Sequence, residues 1–130
     1  MIVIDASALT ELLIASPIAA GVRERISSTG GRLHAPHLID IEVMQALRRF
    51  DIRGDVPGDR TREAVEALAM IPLVRHGHSS FLSRIWRLRP NFTAYDSVYV
   101  ALAESLCAPL LTLDQRLAAA VQAHTKVGLV

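Results

Sequence analysis

Ile2-Val3-Ile4-Asp5-Ala6-Ser7-Ala8-Leu9 opens the chain with three apolar β-branched residues, a carboxylate, and then a helix-forming run. A short apolar run without polar alternation reads as a strand buried on both faces. Asp5 would stand at the C-terminal end of that strand. Ser7 is the expected N-cap of a helix over Ala8–Ala15, so Asp5 lies two residues ahead of the cap. A purely capping explanation is therefore weaker for Asp5.

A strand buried on both faces requires parallel neighbours and covering helices, and the rest of the chain supplies them. Leu33–Ala35, Ile71–Val74, Leu110–Leu113 and Val127–Val130 read as further strands. Helices are predicted over Ile18–Ser27, Leu38–Phe50, Arg60–Met70, Phe81–Arg87, Ala94–Leu106 and Gln115–Ala123, with Asp59 and Asp114 as further N-caps. Strands alternating with helices imply an α/β fold with a mainly parallel sheet of about five strands, covered on both sides.

The chain has 130 residues, and one domain over 1–130 is expected. With 51% hydrophobic and 21% charged residues it carries enough apolar surface for a core, which argues against disorder. The net charge of +1 is neutral on nucleic-acid binding, so any basic surface must be local. A lone cysteine, Cys107, excludes a disulfide framework and a cysteine-based zinc site, and fits a reducing compartment. No signal peptide and no run of ~20 apolar residues is evident. The expectation is a cytoplasmic domain with no membrane partner.

The carboxylates are informative by position. Asp114 follows Leu110–Leu113 as Asp5 follows Ile2–Ile4, which places both at the edge where parallel sheets bind ligands. Asp114 is equally suited to cap the next helix. Asp96 lies in the apolar helix Ala94-Tyr95-Asp96-Ser97-Val98-Tyr99-Val100-Ala101. There it either needs a partner or complements the helix dipole from the first turn. In Leu38-Ile39-Asp40-Ile41-Glu42-Val43 the two acids flank the apolar face on opposite sides, and periodicity does not choose between them.

Four segments together resemble a PIN domain, and specifically the toxin ribonucleases of the VapC type. These are Val3-Ile4-Asp5-Ala6-Ser7-Ala8-Leu9; Pro36 with Glu42-Val43 and Ala46-Leu47-Arg48-Arg49; Ala94 to Ala103 around Asp96; and Leu111-Thr112-Leu113-Asp114-Gln115-Arg116-Leu117. The likeness runs along the whole chain, and its strength lies in the order of the four rather than in any one. It implies a three-layer α/β/α PIN-like fold, and it selects Glu42 over Asp40 as the second acid, leaving open whether Asp40 joins the site.

The resemblance implies that Asp5, Glu42, Asp96 and Asp114 converge as the catalytic acids of a ribonuclease acting on single-stranded or loop RNA. Clustered carboxylates stay ionised only beside positive charge. A donor set of oxygens suits Mg²⁺ or Mn²⁺. Two ions would clamp both oxygens of an in-line displacement, and one ion is also compatible with the sequence. Asp5 and Asp96 are the expected metal ligands, with Glu42 and Asp114 completing the shell or holding water. Ser7 and Thr112 would support the carboxylates or the phosphate, unless they are a cap and a strand hydroxyl. Arg116 is the arginine expected nearest the site.

Basic charge is almost all arginine, since Lys126 is the only lysine. Arg48, Arg49 and Arg53 follow the second acidic segment, and Tyr95, Phe92 and Trp86 offer stacking faces for loop RNA. The equal alternative is solvated arginines beside core aromatics. Leu9, Leu12, Leu13, Ile18 and Val22 exceed what two short helices are expected to bury on one sheet. The apolar patch they would form could close a homodimer or complete the core. The resemblance implies instead that a cognate VapB-type antitoxin lays a helix there. His76-Gly77-His78 lacks a third metal ligand and reads as a loop, and His34 has no evident partner. Two other functions fit the same residues: a catalytically idle PIN-like binding module, and a small-molecule phosphohydrolase using Mg²⁺.

Overall fold

The computed structural model describes residues 1–130. Four strands form one sheet: β1 (Ile2–Ile4), β2 (Leu33–Pro36), β3 (Leu73–His76) and β4 (Leu110–Leu111). Their order is β3-β2-β1-β4 and every pairing is parallel. Seven helices connect and flank them: α1 (Ala6–Leu13), α2 (Ala19–Ser28), α3 (Leu38–Arg53), α4 (Gly58–Met70), α5 (Leu82–Leu88), α6 (Ala94–Leu106) and α7 (Gln115–His124). Helix α6 lies across β1, β2 and β4 with α5 packed on it, while α1 to α4 pack on one another with α3 against β2. The result is the expected three-layer α/β/α arrangement.

Ile2, Val3, Ile4, Leu110 and Leu111 are fully buried, as a continuous apolar reading of the central strands requires. Helix α6 is buried from Ser97 to Ala103 and forms the centre of its layer. Helix α3 buries Ile39, Val43 and Leu47 at one-turn spacing and stops at Gly54, whose φ of +70° is the left-handed C-cap that glycine adopts without strain.

The sheet has four strands rather than about five. Val127–Val130 makes one parallel bridge, Leu110 to Leu129, because β4 offers a single rung before the chain turns at Thr112. Leu110 uses its N–H on Gly128 O (2.9 Å) and its C=O on Val130 N (3.2 Å). Strand β3 runs two residues later than predicted. Pro72 cannot donate a ladder hydrogen bond, so the strand begins after it. Its polar end, Arg75 and His76, is held by Asp40 and His34.

Helix α1 starts at Ala6, two residues early, because its N-cap is Asp5 and not Ser7. Helix α4 starts at Gly58 after Pro57, with Asp59 in its first turn instead of at the cap. Asp114 caps α7 as predicted. No helix is long and apolar enough to cross a membrane.

Candidate active site

In the order β3-β2-β1-β4 the chain steps outward from β1 to β2 and β3, then crosses back to add β4 on the other side of β1, so the crevice between the ends of β1 and β4 is the topological switch point of the sheet. The chain places Asp5 at one lip of this crevice and Thr112 to Asp114 at the other.

Asp5 is 5% exposed and fully engaged. Its Oδ1 accepts from Ala8 N (3.0 Å) and Ser7 Oγ (2.7 Å), and its Oδ2 accepts from Thr112 Oγ1 (2.6 Å). Capping and site membership are therefore not alternatives for Asp5. The cap is what aims the carboxylate. Burial pushes its pKa up, the three donors pull it back, and the Asp114 charge pushes it up again. Ser7 also accepts from Leu113 N (2.9 Å), and Thr112 Oγ1 from Asp114 N (3.0 Å), so both hydroxyls lock the β4 lip to the β1 lip.

Glu42 projects from the first turns of α3, half-buried, and accepts a 2.5 Å hydrogen bond from Tyr99 Oη on α6. Burial raises its pKa, the tyrosine opposes this, and the charges of Asp5 and Asp96 add to the rise. The Tyr99 hydroxyl is held protonated by burial and by Glu42. In the sequence Tyr99 is one more residue of the apolar helix that carries Asp96. Its role as the clamp on Glu42 arises only once the fold brings the side chains of α3 and α6 within hydrogen-bond reach.

Asp96 sits in the first turn of α6, behind the cap Thr93, whose Oγ1 accepts from Asp96 N (3.1 Å). It is half-buried rather than enclosed in an apolar stripe, because its turn emerges at the end of the layer. Burial raises its pKa, Thr93 lowers it, Asp114 raises it and Arg116 lowers it. Arg116 thus stands within electrostatic reach of Asp96. Asp114 is exposed, and its Oδ1 accepts from Arg116 N (2.8 Å) and Leu117 N (3.2 Å), which leaves Oδ2 without a partner in the cap.

At this end of the sheet Glu42 therefore feels the charges of Asp5 and Asp96, and Asp5 and Asp96 each feel that of Asp114. No three of them close on a common point in the geometry of a metal cage. The donor set nonetheless fits a hard divalent cation. It consists of oxygens alone, the pKa values of Asp5, Glu42 and Asp96 are pushed up by burial and like charge, and Asp5 is oriented by three donors in the way supporting groups orient metal ligands.

Asp40 does not join them. Arg75 grips it with both Nε (2.8 Å) and Nη2 (2.9 Å), and also donates to Leu68 O (2.8 Å), so Asp40 ties α3 to β3 and α4. His34 has a partner after all: its Nδ1 lies 2.9 Å from His76 Nε2 across β2 and β3. Residues two apart on neighbouring strands share a face, a signal legible only once the β3 register is known.

Beside the acids runs a cleft of about 870 Å³ whose walls include Ser7, Glu42, Asp114, Tyr95, Arg49 and Arg53. A second cavity, of about 990 Å³, opens at the opposite end of β4 near Cys107 and Pro109; its one carboxylate, Glu104, is held by Arg84 at 2.8 Å. The expected partner-binding patch needs correction. Leu9 and Val22 are core residues, and Leu12 and Leu13 pack against the core, because α1 packs on α2, α3 and α4 as well as beside the sheet. Ile18 alone of that set is exposed, and with Ile41 it lines the cleft.

A parallel three-layer domain with carboxylates gathered at its switch point defines an acidic-site α/β protein. The PIN domain family model matches residues 2–122, and the chain belongs to the PIN-domain family. It is similar over its length to Ribonuclease VapC9 of Mycobacterium tuberculosis (38% identity, covering 100% of this chain and 98% of that protein). It is also similar to Ribonuclease VapC1 of the same organism (40%, covering 98% and 96%). Among solved structures it resembles PAE2754 from Pyrobaculum aerophilum, with a TM-score of 0.69, 26% identity and coverage of 98% of this chain and 81% of that one. The sarcin-ricin loop cleaving toxin VapC20 of M. tuberculosis shares the fold at a TM-score of 0.66 and 12% identity, with coverage of 92% and 95%.

Proposed function

We propose that this chain is an endoribonuclease that hydrolyses phosphodiester bonds in single-stranded or loop RNA with Mg²⁺ or Mn²⁺. We further propose that it acts in the cytoplasm as the toxin of a VapBC-type pair. The observation that carries the reading is the placement of Asp5 and Asp114 at the two lips of the β1–β4 crevice, tied together through Thr112, with Glu42 and Asp96 near enough to feel their charges. The full-length similarity to proteins named VapC ribonucleases supports it.

In this reading Asp5 and Asp96 hold the cation, and Glu42 and Asp114 complete its shell or orient water. When bound, the ion supplies the charge that lowers the pKa of water and steadies the leaving oxygen. The chain's own residues do the rest. Ser7, Ala8 N and Thr112 fix the Asp5 carboxylate. Tyr99 fixes Glu42 through Oε2 and leaves Oε1 without a hydrogen bond from the protein. Arg116, exposed beside Asp96, meets the phosphate. A cognate VapB-type antitoxin would silence the enzyme by seating a helix against Ile18 and Ile41 in the cleft and covering the acids. A homodimer belongs to the same reading and is checked by analytical ultracentrifugation.

The test is cleavage of end-labelled, unstructured RNA by purified protein with Mg²⁺ or Mn²⁺ and with EDTA. Cation-dependent cleavage that disappears in Asp96→Asn supports the reading. RNA left intact by the unaltered, metal-replete protein would overturn it in favour of an idle binding module. Turnover of a chromogenic phosphate ester without RNA cleavage would favour a small-molecule phosphohydrolase.

A further inference from the structure

The cleft beside the acids has a wall that the chemistry of cleavage does not use. Tyr95 is 62% exposed, although it directly precedes the half-buried Asp96 on α6. Its ring lines the same cleft as Glu42 and Asp114. Across from α6, helix α3 presents Arg49 and Arg53 to this cleft, one turn apart and therefore on one face. The chain's ion pairs are Asp40 with Arg75 and Glu104 with Arg84, so both cleft arginines are without a carboxylate partner. Arg49 makes only a 3.4 Å contact from Nε to Gln45 O in its own helix, leaving the end of its guanidinium free.

A flat π-face beside two unpaired guanidinium groups, opening onto a cluster of acids, has a specific complement. It fits a polymer with anionic links and planar aromatic side groups, whose backbone must pass the acids. We propose that Tyr95 stacks on the base of a nucleotide next to the scissile phosphate. Arg49 and Arg53 hold phosphates of the same strand as it runs along α3. This inference rests on the ribonuclease reading and names the substrate path within it. Stacking requires a base free of its duplex, so the wall selects unpaired nucleotides. It does not read the base edge, so it is tolerant of sequence. The cleft volume of about 870 Å³ lies within the ~300–1,000 Å³ range of ligand clefts.

The test is steady-state cleavage of a short unstructured RNA by the full chain with Mn²⁺, in Tyr95→Ala, Tyr95→Phe, Arg49→Gln and Arg53→Gln. Stacking of one base is worth on the order of tenfold to a hundredfold in affinity. Tyr95→Ala should therefore raise KM by about that factor with kcat little changed, and Tyr95→Phe should restore KM because the ring alone stacks. An RNA carrying one abasic nucleotide beside the cut should show the same rise, with no further rise in Tyr95→Ala. Each arginine variant should lower the salt dependence of KM by about one phosphate contact, roughly 0.7 in the log–log slope. All four are surface changes, and an unaltered melting temperature confirms the fold. A KM for Tyr95→Ala equal to that of the active unaltered protein overturns the proposal while leaving the ribonuclease reading intact. So does normal RNA handling combined with lost affinity for an antitoxin-type protein, which assigns the wall to that partner. Absence of cleavage by the unaltered protein instead refutes the ribonuclease reading on which the proposal stands.

Discussion

Thr112 Oγ1 donates a 2.6 Å hydrogen bond to Asp5 Oδ2, joining residues 107 positions apart at the ends of β1 and β4. The same hydroxyl accepts from Asp114 N, so one atom positions a buried acid and the turn that carries another. Thr112→Val keeps the shape, leaves Asp5 with one donor fewer and leaves the Asp114 N–H unpaired. A bond to a charged group is worth ~1.5–3 kcal/mol, and supporting partners of metal ligands are worth about tenfold to a hundredfold in activity. Cleavage should fall by roughly that factor and the protein should be destabilised, while Thr112→Ser should retain most of both. Urea denaturation and RNA cleavage by the three proteins check this.

Burial and the Asp114 charge raise the pKa of Asp96 in the folded chain. A raised carboxyl pKa favours folding below the ordinary carboxyl range. That advantage is lost as pH rises through the folded value, so ionised Asp96 costs stability near neutrality. Asp96→Asn should therefore raise the melting temperature by a few degrees at pH 8 and gain little at pH 4, while abolishing cleavage. Calorimetry across this range decides it, and a gain confined to acid pH would contradict the assigned cause.

The same charges are the reason for a cation effect. Mg²⁺ or Mn²⁺ should raise the melting temperature of the unaltered protein, more at pH 8 than at pH 5. Ligand at a hundredfold its Kd contributes ~2.7 kcal/mol. The increment should shrink in Asp96→Asn. A melting temperature indifferent to both ions at pH 8 would count against the four acids as a cation site.

Glu42 and Asp40 lie on one helix with separate fates. Asp40 is gripped by Arg75 at three structural elements, so Asp40→Asn should cost about 1 kcal/mol of stability and leave kcat unchanged. Glu42→Gln keeps an acceptor for Tyr99 but removes the charge, and should reduce cleavage by ~100-fold or more while raising the melting temperature near neutrality, since the folded chain raises the pKa of Glu42 as it does that of Asp96. Equal losses of kcat in the two variants would place Asp40 in the site.

For the proposed antitoxin, the informative substitution is at an exposed residue. Ile41 is 69% exposed on the cleft wall and Ile18 is 52% exposed. Ile41→Ala should fold, cleave RNA and slow growth on expression, yet be rescued less well by the adjacent antitoxin. Leu9→Glu should fail to fold, because Leu9 is wholly buried and an unpaired charge there has no solvation. Co-expression growth curves, with solubility measured in parallel, separate the two effects.

The chain's own order of residues determined the parallel α/β class, the apolar central strands and the positions of the acids at strand ends. These follow from local periodicity and from the steric rules of single residues. Pairing at a distance was not local. Whether Asp40 or Glu42 faced the crevice depended on Arg75 reaching α3 from β3, and the helical wheel is symmetric between them. Likewise, the clamping of Glu42 by Tyr99, the pairing of His34 with His76, and the burial of Leu9 and Val22 all required the helices to be docked. Asp5 shows the division most clearly. Its place after β1 was legible, but its double task as helix cap and aimed carboxylate arose only when β4 brought Thr112 beside it. A side-chain hydrogen bond spans about 3 Å, and only the folded sheet brings residues so distant in sequence within that reach.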